Sequence, residues 1–116
     1  MDLIDYNQFE KLDVCIGTVI EAVVPQWSHW VTKLTVDLGD EIGTKTAFSG
    51  IMKFFKPEEL IGKQFPFVVN LEPKKIGPGK ELSEVMMLMA VPADDEETPP
   101  VLFKLGKKVA DGTKVR

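Results

Sequence analysis

Short apolar runs, each ended by glycine, proline or polar residues, recur along this chain of 116 residues and limit what it can fold into. Two of them, residues 65–70 and 83–90, flank a loop that holds two prolines, two glycines and three lysines. Alternating runs of this length are typical of strands, and none approaches the roughly 20 apolar residues needed to cross a bilayer. The pattern alone predicts a small β-rich domain with a single core.

Strands dominate the predicted secondary structure. They are expected over residues 14–24, 32–38, 44–49, 65–70 and 83–90, with a short late strand over 101–105. The other predicted elements are a helix over 5–12, turns at 39–43 and 110–113, a helical turn at 57–60 and a Pro-rich acidic loop at 92–100. Asp5 suits a helix N-cap, and Pro57 suits a first helical position. No internal repeat interrupts this series, so one domain over 1–116 is predicted.

The first two strands carry specific predictions. Alternation in the first strand places one set of side chains on a common face: Val14, Ile16, Thr18, Ile20, Ala22 and Val24. Gly17, within this run, predicts a bulge or a sharp bend of the kind that a small barrel needs. In the second strand, Leu34, Val36 and Leu38 are predicted to point into the core.

Segments spread in order over nearly the whole chain resemble the tRNA-binding OB-fold domain family. They are Phe9–Val14, Gly17–Val19, Lys33–Gly39, Glu41–Gly43, Lys56–Lys63, Asn70–Lys75, Ser83–Met86 and Asp111–Lys114. Val85 stands where synthetase-type domains usually carry glycine, and in this the chain resembles the CsaA-like subfamily of export-related chaperones. The resemblance implies an all-β, five-stranded OB-fold barrel with a short N-terminal helix, a helical turn between strands three and four, and assembly as a homodimer.

The resemblance also implies a nucleic-acid site near one mouth of the barrel. Its candidate residues are Lys33, Asn70, Lys74, Lys75, Ser83 and Met86. Lysines and polar side chains in such a place suit phosphates or a base edge. For each residue a structural alternative stays open: solvated surface lysines, polar side chains that end strands by bonding the backbone, and a methionine packed in the core or a subunit interface.

The charge of the chain determines the kind of RNA contact that it can make. A formal net charge of -4 argues against strong, nonspecific binding to nucleic acid. Arg116 is the only arginine, so forked guanidinium contacts to phosphate or guanine are almost absent. Any RNA contact is therefore expected to depend on lysine, whose charge is less selective in its geometry.

The loop after the first strand holds Trp27-Ser28-His29-Trp30, which departs from the resembling pattern. Two tryptophans in one loop, Trp27 and Trp30, favour a dimer interface, with a peptide-gripping surface or base stacking as alternatives. His29 has no His or Cys nearby, so no metal site is predicted. Cys15 is the only cysteine, lies in an apolar run, and is predicted to be a buried structural thiol.

No catalytic constellation or nucleotide-binding loop is visible, and the sequence predicts neither an enzyme nor a cofactor. Two functions remain open. The first is binding of tRNA or other structured RNA, and the second is a chaperone that binds unfolded or precursor polypeptides through exposed apolar grooves. The N-terminus has no basic region followed by an apolar stretch, so the cytoplasm is the predicted compartment and membrane insertion is not expected.

Overall fold

Ten strands, two short helices and one 3-10 turn make up the fold in the computed structural model, which describes all 116 residues. The strands are β1 (Val14–Val23), β2 (Thr32–Asp37), β3 (Thr44–Ser49), β4 (Gln64–Val68), β5 (Lys74–Ile76), β6 (Glu81–Ser83), β7 (Met86–Met87), β8 (Met89–Ala90), β9 (Val101–Leu102) and β10 (Lys114–Val115). The helical elements are α1 (Tyr6–Glu10), α2 (Gly39–Ile42) and the 3-10 helix Pro57–Glu59. The main sheet has the order β3-β2-β1-β4-β7, with antiparallel pairing throughout.

The segment that leads from β6 into β7 closes this sheet against β3. The amide of Glu84 donates to the carbonyl of Thr46 at 2.8 Å, and the amide of Phe48 donates to Oγ of Ser83 at 3.1 Å. β10 pairs with the first residues of β1. Because the sheet curls back onto itself, few strand edges stay free, and the predicted five-stranded OB-fold barrel is confirmed.

Inward-pointing side chains of these strands fill the barrel. Leu34, Val36 and Leu38 are completely buried, as predicted, and Phe67 of β4 is buried to the same degree. The core cluster comprises Cys15, Val19, Ala22, Leu34, Val36, Leu38, Ala47, Ile51, Leu60, Phe65, Phe67, Val85 and Met87. Burial of these side chains is the main contribution to the stability of the barrel.

β1 departs from the predicted alternation. Ile20 is 50% exposed, and Val24 lies exposed beyond the end of the strand, whereas Val19 is fully buried. The register of β1 against β2 shifts between Val19 and Glu21, and such a bulge changes which residues face the core. The predicted common face is therefore wrong, because Ala22 joins the core cluster with Cys15 and Val19, whereas Val14, Ile16 and Thr18 do not belong to that cluster. The bulge lies beyond Gly17.

Gly17 allows close packing instead. A Cβ atom at this position would lie 2.6 Å from Cγ1 of Val36 and 2.7 Å from Cδ2 of Leu38. These distances are too short for a side chain, so glycine lets the core residues Val36 and Leu38 pack directly against the backbone of β1.

The strand predicted over residues 83–90 is three separate short strands. β6 pairs with β5, β7 pairs with β4, and β8 pairs with β9. The chain changes its pairing partner twice in this run, which a sequence that is apolar on both faces does not reveal. The late strand predicted over 101–105 is likewise shortened, because only the two residues of β9 pair with β8.

The predicted helical elements form. The amide of Gln8 donates to Oδ1 of Asp5 at 2.8 Å, and the amide of Asp5 donates back to Oε1 of Gln8 at 3.1 Å, which is a capping box on α1. Pro57 opens the 3-10 helix. The turn predicted at 39–43 contains α2, which Gly39 and Gly43 bound with positive φ angles.

Cys15 is buried in the core, as predicted. Burial raises the pKa of its thiol, and the nearby Asp13 carboxylate raises it further. The thiol is therefore held in its protonated, unreactive form. No cluster of three or more His, Cys, Asp or Glu side chains could hold a metal ion, and no helix is both long and apolar enough to cross a membrane.

Candidate nucleic-acid interface

The loop that follows β4 contains an ordered hairpin. β5 and β6 pair with Lys74 opposite Ser83, and a hydrogen bond of 3.1 Å from the amide of Lys80 to the carbonyl of Gly77 closes the turn between them. We name residues 74–83 the lysine hairpin. It carries three exposed lysines: Lys74, Lys75 and Lys80.

Trp27, in the loop between β1 and β2, holds the lysine hairpin against the barrel. A Cβ atom built on Gly77 would lie 2.5 Å from Cζ2 of Trp27, so the indole ring packs directly on the hairpin backbone. The same ring lies 6.2 Å from the ring of Phe48 on β3, at an interplanar angle of 38°. The hairpin turn, the tryptophan and the outer face of β3 therefore form one packed contact.

Two polar contacts add to this packing. Nζ of Lys33 on β2 lies 2.6 Å from Oε2 of Glu81 on β6. Because both side chains are a third to a half exposed, such a pair contributes only about 0.2–1 kcal/mol. Oγ of Ser83 accepts the hydrogen bond from the amide of Phe48. The base and the turn of the hairpin are thus both attached to the barrel.

The lysines of this region differ in whether a carboxylate neutralises them. Glu81 pairs with Lys33, and Glu84 pairs with Lys45 at 3.8 Å. The three lysines of the hairpin form no ion pair. Their charge is therefore directly available to an anionic ligand, whereas Lys33 would first have to leave Glu81.

The side chains of Lys74 and Lys75 project from opposite faces of the hairpin, because side chains alternate along a strand. Lys74 shares its face with Ser83 and Glu81, which contact the barrel. Lys75 shares the outer face with its cross-strand neighbour Leu82. A ligand would meet one lysine where the hairpin joins the barrel and the other on the outside of the hairpin.

Asn70 bonds the backbone that joins α1 to β1. Its Nδ2 donates to the carbonyl of Lys11 at 2.6 Å, and its Oδ1 accepts from the amide of Asp13 at 2.9 Å. These are the backbone bonds that the structural alternative predicts for a polar residue at a strand end. Direct recognition of RNA by Asn70 stays a prediction.

Met86 is exposed, although its neighbour Met87 is buried. Met86 pairs with Val68 across β7 and β4 and is 46% exposed, whereas Met87 is buried in the core. Core packing therefore explains the apolar side chain of Met87 but does not explain that of Met86. The thioether of Met86 is accessible to a ligand near the end of β4.

The two tryptophans lie in different environments. Trp27 is half-buried in its contact with the hairpin, whereas Trp30 is 59% exposed. Ser28 fixes the loop between them, because its Oγ donates to the carbonyl of Val31 and accepts from the amide of Val31, both at 2.8 Å. Trp27 is therefore engaged within the chain, and Trp30 presents its ring to the surroundings.

The β1–β2 loop and the segment between β4 and β7 meet over the outer face of β2 and β3. In OB folds generally, this face and these two loops bind oligonucleotides. The structure brings Trp27, Lys33, Lys74, Lys75 and Ser83 together there, with Asn70 and Met86 beside the end of β4.

Sequence reasoning missed Gly77, Glu81 and Phe48, through which the hairpin contacts the barrel. The run Gly77-Pro78-Gly79 signals a turn. No local signal indicates that a tryptophan from another loop packs on that turn, because the contact joins segments that are distant in sequence.

The chain is similar in sequence to a family of known domains and to parts of longer proteins. Residues 14–114 match the model of a family described as a putative tRNA-binding domain. The chain is 40% identical over all 116 residues to a methionine–tRNA ligase of Methanocaldococcus jannaschii, and 40% identical over 94 residues to that of Clostridium perfringens. It spans only 17% and 14% of the lengths of these two relatives.

Solved structures of similar size share the whole fold. A MetRS-related protein from Pyrococcus horikoshii is 34% identical with a TM-score of 0.85, and each chain is covered completely. The chaperone CsaA from Bacillus anthracis is 33% identical with a TM-score of 0.83, over 99% of this chain and 100% of that one. The CsaA chaperone protein from Picrophilus torridus is 31% identical with a TM-score of 0.84, over 98% of this chain and 100% of that one.

Proposed function

Because this chain belongs to the family of putative tRNA-binding domains, we propose that it binds tRNA, or RNA folded in a similar way, and catalyses no reaction itself. The observation that carries the proposal is the lysine hairpin. Its three lysines are free of ion pairs and lie beside the face that OB folds use for oligonucleotides.

The lysines would bind phosphate oxygens, and the shape of the RNA would supply most of the selectivity. Lysine is a point charge on a flexible stem, so Lys74 and Lys75 neutralise phosphates without reading bases. Lys33 and Ser83 lie where the hairpin contacts the barrel, and Met86 lies beside the end of β4. The few contacts to bases or riboses would come from these three side chains.

The double substitution Lys74→Gln/Lys75→Gln is expected to weaken tRNA binding about tenfold at moderate salt. It also makes the negative slope of log affinity against log salt shallower by about 2, because each lysine that neutralises a phosphate releases counterions. The measurement is a titration with bulk tRNA at several salt concentrations. Lys53→Gln/Lys56→Gln removes the same charge from two exposed lysines outside the hairpin and is the matched control. An unchanged slope in the hairpin variant would refute this site.

A second candidate function is binding of unfolded or precursor polypeptides by a cytoplasmic homodimer. It is favoured by the exposed rings of Trp30 and Phe103 and by exposed Val91 and Val101, and two similar structures bear the name chaperone. Such apolar surface suits a subunit interface or varied peptides. We expect stoichiometric dimer to suppress client aggregation with little dependence on salt. A monomeric mass by light scattering at micromolar concentration, or undiminished aggregation, would contradict this function.

A further inference from the structure

An open cleft with a volume of about 760 Å³ lies between the start of β4 and residues 100–108. Gln64, the first residue of β4, lines it, while Val68, the last, leads toward the lysine hairpin. Four residue steps along a strand span about 13 Å. The cleft and the lysine hairpin are therefore separate surfaces at opposite ends of one strand.

The rim of this cleft is basic. Its four exposed lysines are Lys63, Lys104, Lys107 and Lys108. Glu59 is the only carboxylate among the lining residues, so four lysines and one glutamate leave a charge of +3 on a chain whose net charge is -4. None of the four lysines forms an ion pair. The cleft therefore concentrates positive potential on an otherwise acidic protein.

The backbone that carries three of these lysines is attached at both ends. Before residues 104–108, β9 pairs with β8. After them, the amide of Val109 donates to Oε1 of Gln64 at 3.1 Å, and the carbonyl of Val109 accepts from Nε2 of Gln64 at 2.7 Å. The lysines thus project from a positioned segment and not from a free tail.

Two apolar residues that line the cleft are already packed in the core. Leu60 and Phe65 belong to the core and are only 1% and 3% exposed, and Leu102 packs against that core. Val101 also lines the cleft and is 55% exposed, so an incoming ligand meets both lysines and apolar surface. Because four lysines line the cleft and form no ion pair, binding of an anionic ligand there is expected to depend on charge.

We propose that this cleft is a second contact for the phosphate backbone of a folded RNA that also binds the lysine hairpin, an inference that rests on the proposed function. Lysines unaccompanied by arginine neutralise phosphates without selecting bases. A folded RNA presents rigidly spaced phosphates over a surface large enough to reach both ends of β4. A single-stranded RNA of four nucleotides is expected to engage the hairpin alone, since it is at the short end of the roughly 4–16 nucleotides that one OB fold binds.

The variant Lys107→Gln/Lys108→Gln tests this inference against the control Lys53→Gln/Lys56→Gln. All four lysines are exposed, and both variants remove two charges. For bulk tRNA, the cleft variant is expected to make the negative slope of log affinity against log salt shallower by about 2. Its affinity at moderate salt is expected to be about tenfold weaker. Binding of a tetranucleotide is expected to be the same in both variants.

The possible results separate this inference from the proposed function. If the unmodified protein does not bind tRNA at low salt, the proposed function fails and the cleft contact fails with it. If tRNA binding depends on Lys74 and Lys75 while the cleft variant matches its control, only the cleft contact is overturned. A cleft variant that keeps the tRNA slope and loses affinity for an acidic peptide also overturns it, because the cleft would then bind polypeptide.

Discussion

The substitution Gly77→Ala is expected to release the lysine hairpin from the barrel and to weaken tRNA binding on the order of tenfold. Gly77 has a φ angle of +74°, which costs a residue with a side chain about 1–2 kcal/mol. Its new Cβ would also lie 2.5 Å from Cζ2 of Trp27, whose ring also packs against Phe48. The tryptophan must move, and the contact that positions Lys74 and Lys75 is lost.

Tryptophan fluorescence and a tRNA titration together measure this effect. Trp27 gains exposure to water, so the emission of the variant shifts to longer wavelength, while the exposed Trp30 changes little. Gly79→Ala is the matched control, because Gly79 lies in the same turn, has no positive φ angle, and has no atom within 4 Å of an added Cβ. A Gly77→Ala variant with the emission and the tRNA affinity of Gly79→Ala would contradict the role of this contact.

Thr32→Val is expected to stabilise the protein by about 1–3 kcal/mol, the opposite sign from most core substitutions. Thr32 is completely buried in β2, and its Oγ1 has no hydrogen-bond partner. Folding therefore removes this hydroxyl from water without compensation. Valine keeps the shape and the β-branching of threonine and replaces the hydroxyl with a methyl group.

The free energy of unfolding in urea measures this prediction. Thr35→Val serves as the control, because Thr35 lies on the same strand but on the outer, half-exposed face, where the change is expected to stay within about 0.5 kcal/mol. The tRNA affinity of Thr32→Val should equal that of the unmodified protein, since Thr32 is not on the surface. A loss of stability in Thr32→Val would show that the hydroxyl has a favourable partner, such as a buried water.

The strands whose side chains alternate cleanly could be predicted from the sequence, and the others could not. β2 and β3 form where they were predicted, because buried and half-exposed residues alternate along β2 and glycines mark the turn between them. The run over 83–90 is apolar on both faces, so its pattern does not show that the chain changes partner twice. The bulge after Val19 is set by pairing with β2, and Gly17 gave a misleading local signal.

The candidate site, too, could be predicted from the sequence only in part. The positions of Lys74 and Lys75 after β4 followed from the resemblance to a family, but the hairpin that orders them did not. Its contacts with Trp27 and Lys33 join residues that are far apart in sequence. The lysines of the cleft come from two separate segments, which only the folded chain brings together.

A titration of bulk tRNA into the unmodified protein, followed by the fluorescence of Trp27 and Trp30, tests the central claim most directly. It is carried out at low and at moderate salt, with the hairpin variant Lys74→Gln/Lys75→Gln alongside. We predict micromolar or tighter binding at low salt that weakens steeply as salt rises, and a smaller salt dependence in the variant. Absence of binding at low salt would contradict the claim that this barrel binds RNA.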